Sequence, residues 1–512
     1  MLQIKNLTIT HNKDLRTILN NFSFVLNDGD KAVIIGEEGN GKSTLLKLIY
    51  EEGLVENYME FTGQIIKNDV KIGYLSQEIS VEDKQKSILE FCSEVPEFYE
   101  MTPKELSDIV FPLGVDLELL YSEQLVGQLS GGQKVKLQLI KIMMEKPNVL
   151  LLDEPSNDID IDTLEWLEKF INASQIPVLF VSHDETLIEN TANLVIHLEQ
   201  IKRKTTPRHT IAKMPYRRYV EERLSKFTHQ EQVARKERSE YEKQQEKFRQ
   251  IQQKVEHQQN VITRQDPHSG QLLKKKMKAV KSMEKRFDRE AQNMTEIPET
   301  EQNIFVKFSK DISVPNDKNI LNLSIRELEI GETKLAENIE LNIRGPEKIC
   351  LIGKNGVGKT TLIRAIAKEL SARQDIKVSY MPQNYEELLD LNLSPVEFLT
   401  NTGDREEITR IRTYLGSMKY TEDEMMHKIE ELSGGQKAKL LLLKMSMEGS
   451  NVLILDEPTR NFSPLSNPVI REVLKEYNGA IISISHDRKY IREVCTTVYE
   501  LNKDGLRKVE DL

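Results

Sequence analysis

Two hydrophobic patterns run along this chain. Between residues 215 and 294, apolar side chains recur at every seventh position: Val220, Phe227, Ala234, Tyr241, Phe248, Val255 and Ile262, then Leu273, Val280, Phe287 and Met294. A single apolar seam at that spacing is what two antiparallel helices need in order to pack as a coiled coil. Gln245, Gln252 and Gln259 take the alternate seam position, so the packing is thin. Asp266, Pro267, Ser269 and Gly270 supply turn chemistry between the helices and place the tip near 261–271. Helices of about 45 and about 25 residues would extend about 70 and about 38 Å, so the tip is expected to project well beyond the rest. Elsewhere the apolar residues form short unbroken runs: AVII from 32, NVLLLDE from 148, ICLI from 349 and NVLILDE from 451. The order of apolar strand, glycine loop, amphipathic helix and then an apolar strand ending in acid predicts a buried parallel α/β core.

The second pattern occurs twice. LSGGQKVKLQLIKIMMEKPNVLLLDEPSNDID from 129 matches LSGGQKAKLLLLKMSMEGSNVLILDEPTRNFSP from 432 without gaps, at an offset of 303. VSHDETLI from 181 and ISHDRKYI from 484 keep that offset, and AVIIGEEGNGKSTLLKLI matches ICLIGKNGVGKTTLIRAI at an offset of 317. A duplicated domain with the heptad segment between its copies follows. The expected division is 1–200, 201–300 and 301–512.

Charge separates the same segments. The chain carries a net −11, yet residues 200–300 hold 25 Lys/Arg against 14 Asp/Glu, a net +11, which leaves −22 elsewhere. A basic helical segment between acidic domains attracts phosphate-rich partners. Cys92, Cys350 and Cys495 lie far apart without metal-ligand spacing, so neither a disulfide framework nor a zinc site is predicted. No apolar run of about 18 residues occurs and the N-terminus lacks a secretory pattern, so a cytoplasmic protein without membrane association is expected.

Both glycine loops have the form G-x-x-x-x-G-K-[ST], whose backbone N–H groups converge on phosphate oxygens at a helix N-terminus. The candidate cradles are Gly36, Gly39, Asn40, Gly41, Lys42, Ser43 and Thr44, and Gly353, Asn355, Gly356, Gly358, Lys359, Thr360 and Thr361. Lys42 and Lys359 would reach the β- and γ-phosphates of ATP, while Ser43 and Thr360 would sit on Mg²⁺. Asp153 and Asp456, at the ends of apolar strands, are candidate Mg²⁺ ligands. The next residues, Glu154 and Glu457, are candidate general bases for the attacking water.

These loops and acids, together with LSGGQ at 129–133 and 432–436, Gln77 and Gln383 after short strands, and His183 and His486 before aspartate, resemble an ABC-type ATPase. The resemblance implies two tandem P-loop nucleotide-binding domains of the α/β class, joined by the antiparallel helical linker. It implies that each ATP lies between one copy's glycine loop and the other's signature. Lys42 would then face Ser433, Gly434, Gly435 and Gln436, and Lys359 would face Ser130, Gly131, Gly132 and Gln133. Gln77 and Gln383 would join the metal and nucleotide shells, and His183 and His486 would contact the γ-phosphate. His11 stands where the family often places an aromatic residue against adenine. Both sites look competent to hydrolyse ATP. They differ after the glutamate, where Arg460, Phe462 and Pro464 depart from the usual pattern and put equal rates in doubt.

Tandem domains, no membrane segment and a charged helical linker further resemble the ABC-F family. Family membership implies binding at the E site of the bacterial 70S ribosome, with the linker directed toward 23S rRNA, the P-site tRNA and the peptidyl-transferase centre. Arg264, Gln265, His268, Lys274, Lys275, Lys276 and Lys278 are the candidate RNA contacts. Gln77 to Ser130 spans 53 positions and Gln383 to Ser433 spans 50, so no arm insertion is evident in the first domain. With the DEPTRNFSPLS variant, this is similar to Vga-, Lsa- and Sal-like proteins that protect ribosomes from lincosamides, pleuromutilins and streptogramin A compounds. The expectation is a monomer with intramolecular pairing, no obligate protein partner, and release by ATP hydrolysis. An ABC-F translation factor without a resistance role, a transporter energy subunit and a DNA-repair ATPase are the alternatives.

Overall fold

The computed structural model describes residues 1–201, 204–261, 267–292, 294–295, 308–309, 312–331 and 333–509. Two compact units divide the chain: residues 1–217 with 301–512, and residues 218–300.

In the first unit, strands Lys31–Ile35, Val149–Asp153 and Val178–Val181 are buried at every position. Covered on both faces, they read as unbroken apolar runs, as parallel strands under helices do. Their sheet has the order Ile72–Leu75, Val149–Asp153, Val178–Val181, Lys31–Ile35, Leu194–Ile201, Thr206–Ala212. All pairs are parallel except the last. Strand Thr206–Ala212 thus extends this sheet beyond residue 201, and the helical segment starts at Tyr216. Helix Lys42–Tyr50 buries Leu45, Leu46, Leu48 and Ile49 in one core with Val149 and Leu151.

The second copy repeats the sheet in the order Val378–Met381, Val452–Asp456, Ala480–Ile484, Lys348–Ile352, Thr497–Asn502, Gly505–Val509. Its helix Lys359–Ser371 packs Leu362, Ile363, Ile366 and Leu370 with Ile349, Leu351, Val452 and Ile454. The first copy carries eleven more residues between its glycine loop and Gln77 than the second does before Gln383. Strand Met59–Lys67 lies there, paired antiparallel with Leu2–His11. Cys92 and Cys350 are buried, Cys495 is half-buried, and all three are free thiols.

The second unit is the expected pair of helices, Tyr216–Val261 and Pro267–Gln292. Of the heptad positions, Tyr241, Phe248 and Val255 meet Val280 and Phe287 as an antiparallel seam. Val255 and Val280 form one buried cluster with Phe248 and Met277 against it. The Phe287 ring lies edge-on to Tyr241 at 6.2 Å and to Phe248 at 5.4 Å. Gln245, on the thin side, donates to the Tyr241 hydroxyl at 2.8 Å. Pro267, Ser269 and Gly270, expected in the turn, lie inside the second helix instead. Proline suits a first helical turn: its fixed φ is helical and its missing N–H has no partner there in any case. Asp266, Arg264 and Gln265 lie outside the described residues. Among the described residues, no helix is long and apolar enough to cross a membrane.

Candidate functional site

Each glycine loop joins the sheet's innermost strand to a helix, and its path is fixed by close approach. A Cβ on Gly36 would stand 2.3 Å from the Leu198 carbonyl oxygen, and one on Gly353 would stand 2.4 Å from that of Leu501. Only glycine allows the loop to cross the neighbouring strand. Gly41 and Gly358 then cap the helices in left-handed conformation, and Gly39 and Gly356 share that sign of φ. Lys42 Nζ donates to the carbonyls of Gly36 at 2.9 Å and Glu37 at 3.2 Å, and Lys359 Nζ to those of Gly353 at 2.7 Å and Lys354 at 3.0 Å. Burial pushes the pKa of both lysines down, against the pull of Glu154 on one and Glu457 on the other. Asn40 secures the first loop by donating to the Leu198 carbonyl at 2.9 Å, and Thr44 pairs with Tyr58.

Ser43 Oγ donates to Asp153 at 2.8 Å, and the Tyr74 hydroxyl reaches the other carboxylate oxygen at 3.3 Å. Thr360 likewise hydrogen-bonds Asp456, which is pushed up to about 6 by burial, and whose Oδ2 is buried without a hydrogen-bond partner. An orphaned carboxylate oxygen beside a hydroxyl suits a hard cation that takes its remaining ligands from phosphates, as Mg²⁺ does. Gln77 and Gln383 follow strands Ile72–Leu75 and Val378–Met381, and both are exposed.

Glu154 and Glu457 turn the chain at φ 51° and 55°, a left-handed conformation that few non-glycine residues adopt. Their N–H groups hold it by donating to Val181 at 3.1 Å and Ile484 at 3.0 Å on the adjacent strands. The two glutamates nevertheless differ electrostatically. Glu154 Oε1 is 2.9 Å from His183 Nε2. Burial raises the Glu154 carboxyl, but His183 and Lys42 outweigh it and hold the pKa below the usual range. Glu457 is 3.6 Å from His486 Nε2 and is pushed up to about 8 by burial and then by Asp456. His486 is driven down to about 4 by burial and Lys359.

The LSGGQ stretches are capping boxes. Ser130 accepts from the Gln133 N–H at 3.3 Å while Gln133 accepts from the Ser130 N–H at 3.0 Å, and Ser433 with Gln436 repeats this at 3.3 and 3.1 Å. The serine and glutamine satisfy two backbone donors, and the two glycines between them leave a bare helix N-terminus. Gly132 is fixed by packing, since a Cβ there would stand 2.5 Å from Thr163 Oγ1.

Each signature faces the other copy's loop, as the resemblance implied. Ser130, Gly131 and Gln133 share a cavity of about 700 Å³ with Gly356, Lys359, Thr360, Thr361, Gln383, Asp456, Glu457 and His486. Against the first loop, Ser433, Gly435 and Gln436 line a small cavity of about 20 Å³ with Glu37 and Glu38. Three residues that no motif singles out build these contacts. Glu38 Oε2 accepts from the Gly435 N–H at 2.6 Å. Glu37 is held down to about 2, the charges of Lys439, Lys419 and Lys204 overriding its burial. Asp158 pairs with Arg460 at 2.8 Å, and its carbonyl accepts from Asn355 Nδ2 at 2.5 Å. The unusual Arg460 and Phe462 are therefore interdomain contacts, the Phe462 carbonyl lying 2.8 Å from His183 Nδ1. His11 pairs with Asp14 at 2.7 Å. On the linker, Lys275, Lys276 and Lys278 are exposed, while His268 and Lys274 lie on the second helix.

Residues 19–157 and 336–460 match the ABC transporter family, covering more than half the chain. The putative ATP-binding protein YdiF of Bacillus subtilis is 27% identical, across 99% of this chain and 81% of that protein. ABC transporter F family member 5 of Arabidopsis thaliana is 26% identical across 96% and 73%. Among solved structures, an archaeal ribosome recycling factor in complex with the ribosomal stalk protein aP1 superposes with a TM-score of 0.59 at 15% identity, over 98% of this chain and 90% of that one.

Proposed function

The chain belongs to the ABC transporter family and is an ATPase of its F group, and from that premise we propose that it is a ribosome-binding protein that protects bacterial ribosomes from antibiotics. The observation that carries this reading is the basic pair of helices of 46 and 26 residues that lies, in sequence, between two domains whose loops and signatures face each other. Exposed lysines on a long two-helix probe suit recognition of RNA through its phosphates and shape. The superposed archaeal structure, that of a ribosome recycling factor, supports the choice of partner.

In this reading ATP lies between each loop and the facing signature. The backbone donors of Gly36–Ser43 and Gly353–Thr360 hold its phosphates, and Lys42 and Lys359 balance their charge. Ser43 with Asp153, and Thr360 with Asp456, would hold Mg²⁺ alongside Gln77 and Gln383. Bound there, the ion would neutralise charge on the phosphates. Glu154 and Glu457 take a proton from water as it attacks the γ-phosphorus, and the bond to the β–γ bridging oxygen breaks to leave ADP and phosphate. Binding of ATP draws the domains together on the 70S ribosome, at the E site beside the P-site tRNA. The tip then reaches toward the drug site in 23S rRNA, and hydrolysis releases the protein.

Expression in a susceptible bacterium tests this reading. Minimum inhibitory concentrations of a lincosamide, a pleuromutilin and a streptogramin A should rise with the wild-type chain and not with Glu154→Gln, Glu457→Gln. Unchanged susceptibility to all three, with the protein present on ribosomes, would leave a translation factor without a resistance role.

A further inference from the structure

At the third residue of the glycine loop the two copies carry opposite hydrogen-bonding chemistry, Glu38 in GEEGNGKS and Asn355 in GKNGVGKT. Asn355 donates across to the Asp158 carbonyl. Glu38, as a carboxylate, can only accept, and it takes the Gly435 N–H at 2.6 Å. That N–H is free to point outward because the capping box of helix Gly434–Glu448 occupies only the N–H groups of Ser433 and Gln436. A donor at a bare helix N-terminus favours an anion. Here the chain itself supplies one, and the same carboxylate lies close enough to Lys42 to hold up that lysine's charge.

Resting on the reading that ATP lies between the first loop and the second signature, we infer that Glu38 is a specificity-determining residue, an internal anion that competes with the terminal phosphate of a nucleoside triphosphate for the Gly435 N–H. One N–H does not serve two anions at full strength, and a carboxylate and a phosphate at that separation repel. Glu38 must therefore swing away when a triphosphate enters. ADP lacks the phosphate that meets Glu38, so the carboxylate penalises ATP selectively. The first site binds ATP more weakly than the second and discriminates it less from ADP.

The test is equilibrium binding of ATP and ADP to the full chain with hydrolysis blocked by Glu154→Gln, Glu457→Gln. Glu38→Asn, which copies the second loop, should tighten ATP at one of the two sites about tenfold and move ADP by less than about twofold. Glu38→Gln, of the same size without the charge, should match it. The reciprocal Asn355→Glu should weaken ATP and spare ADP at the other site. Equal tightening of ATP and ADP by Glu38→Asn would overturn the inference, since the charge would then act on the shared phosphates. Unchanged ATP affinity, while Lys42→Ala removes one of the two binding events, would also overturn it and leave the ATP site standing. If Lys42→Ala preserves both events, the underlying reading of the first site falls and the inference with it.

Discussion

His183 Nδ1 lies 2.8 Å from the backbone carbonyl oxygen of Phe462, joining the first copy's histidine to the second copy's post-glutamate segment. A carbonyl only accepts, so Nδ1 donates in this contact. The ring is thereby held with Nε2 on Glu154, 2.9 Å away. His183→Ala removes both the interdomain bond and the group beside Glu154, the proposed general base. In a Glu457→Gln background, where hydrolysis is confined to the first site, it should lower steady-state ATPase by about 100-fold. A loss below about threefold would place His183 outside the reaction.

The unequal glutamates predict unequal pH profiles. Glu457 titrates near 8, so its base form is the minority at pH 7 and grows as pH rises. Glu154 is held below the usual range by His183 and Lys42 against its burial, so it is already ionised at neutral pH. In Glu154→Gln, ATPase through Glu457 should rise between about pH 6 and about pH 9. In Glu457→Gln, it should be nearly flat over that window. Superimposable profiles would contradict the assignment.

Arg471 and Glu185 form a buried bidentate pair across the two copies, at 2.6 and 3.3 Å, with 3% and 4% of their side chains exposed. Arg471→Ala leaves Glu185 buried with Lys489, 3.1 Å away, as its partner. The expected loss is about 3 kcal/mol, at the low end for breaking a buried pair because that partner remains. Replacing both, as Arg471→Met with Glu185→Leu, should recover most of it, since Lys489 keeps Glu189 at 2.6 Å and Glu493, which loses Arg471, is exposed to solvent. Chemical denaturation measures both variants.

Phe287 is the linker's central anchor, touching Tyr241 and Phe248. Phe287→Ala should loosen the seam by about 3 kcal/mol, the low end for a core phenylalanine because the interface is one seam wide. Faster hydrogen exchange over Tyr216–Gln292 would report it. ATPase measured without ribosomes should stay within about twofold, because the seam lies outside the ATP sites.

Most of the fold was legible because its signals are redundant. The buried parallel strands had to be apolar throughout, and Val149–Asp153 and Val452–Asp456 announced themselves twice. The heptads likewise marked Val255 and Val280 as seam positions, and the structure buries the two together. The pairing of each LSGGQ with the opposite loop came from the family resemblance. The capping box shows why Ser and Gln flank the glycines there. Glu37, Glu38 and Asp158 were not legible, since their roles arise only when the copies meet and a motif leaves such positions variable. The turn chemistry at Pro267 to Gly270 was overridden by helix formation, which tolerates proline in a first turn.

Co-sedimentation of Glu154→Gln, Glu457→Gln with bacterial 70S ribosomes, with and without ATP, tests the central claim most directly. ATP-dependent pelleting of this variant, with release of the wild-type chain as ATP is consumed, is the predicted result. Retention in the supernatant with ATP, or equal pelleting without it, would contradict an ATP-controlled ribosomal role.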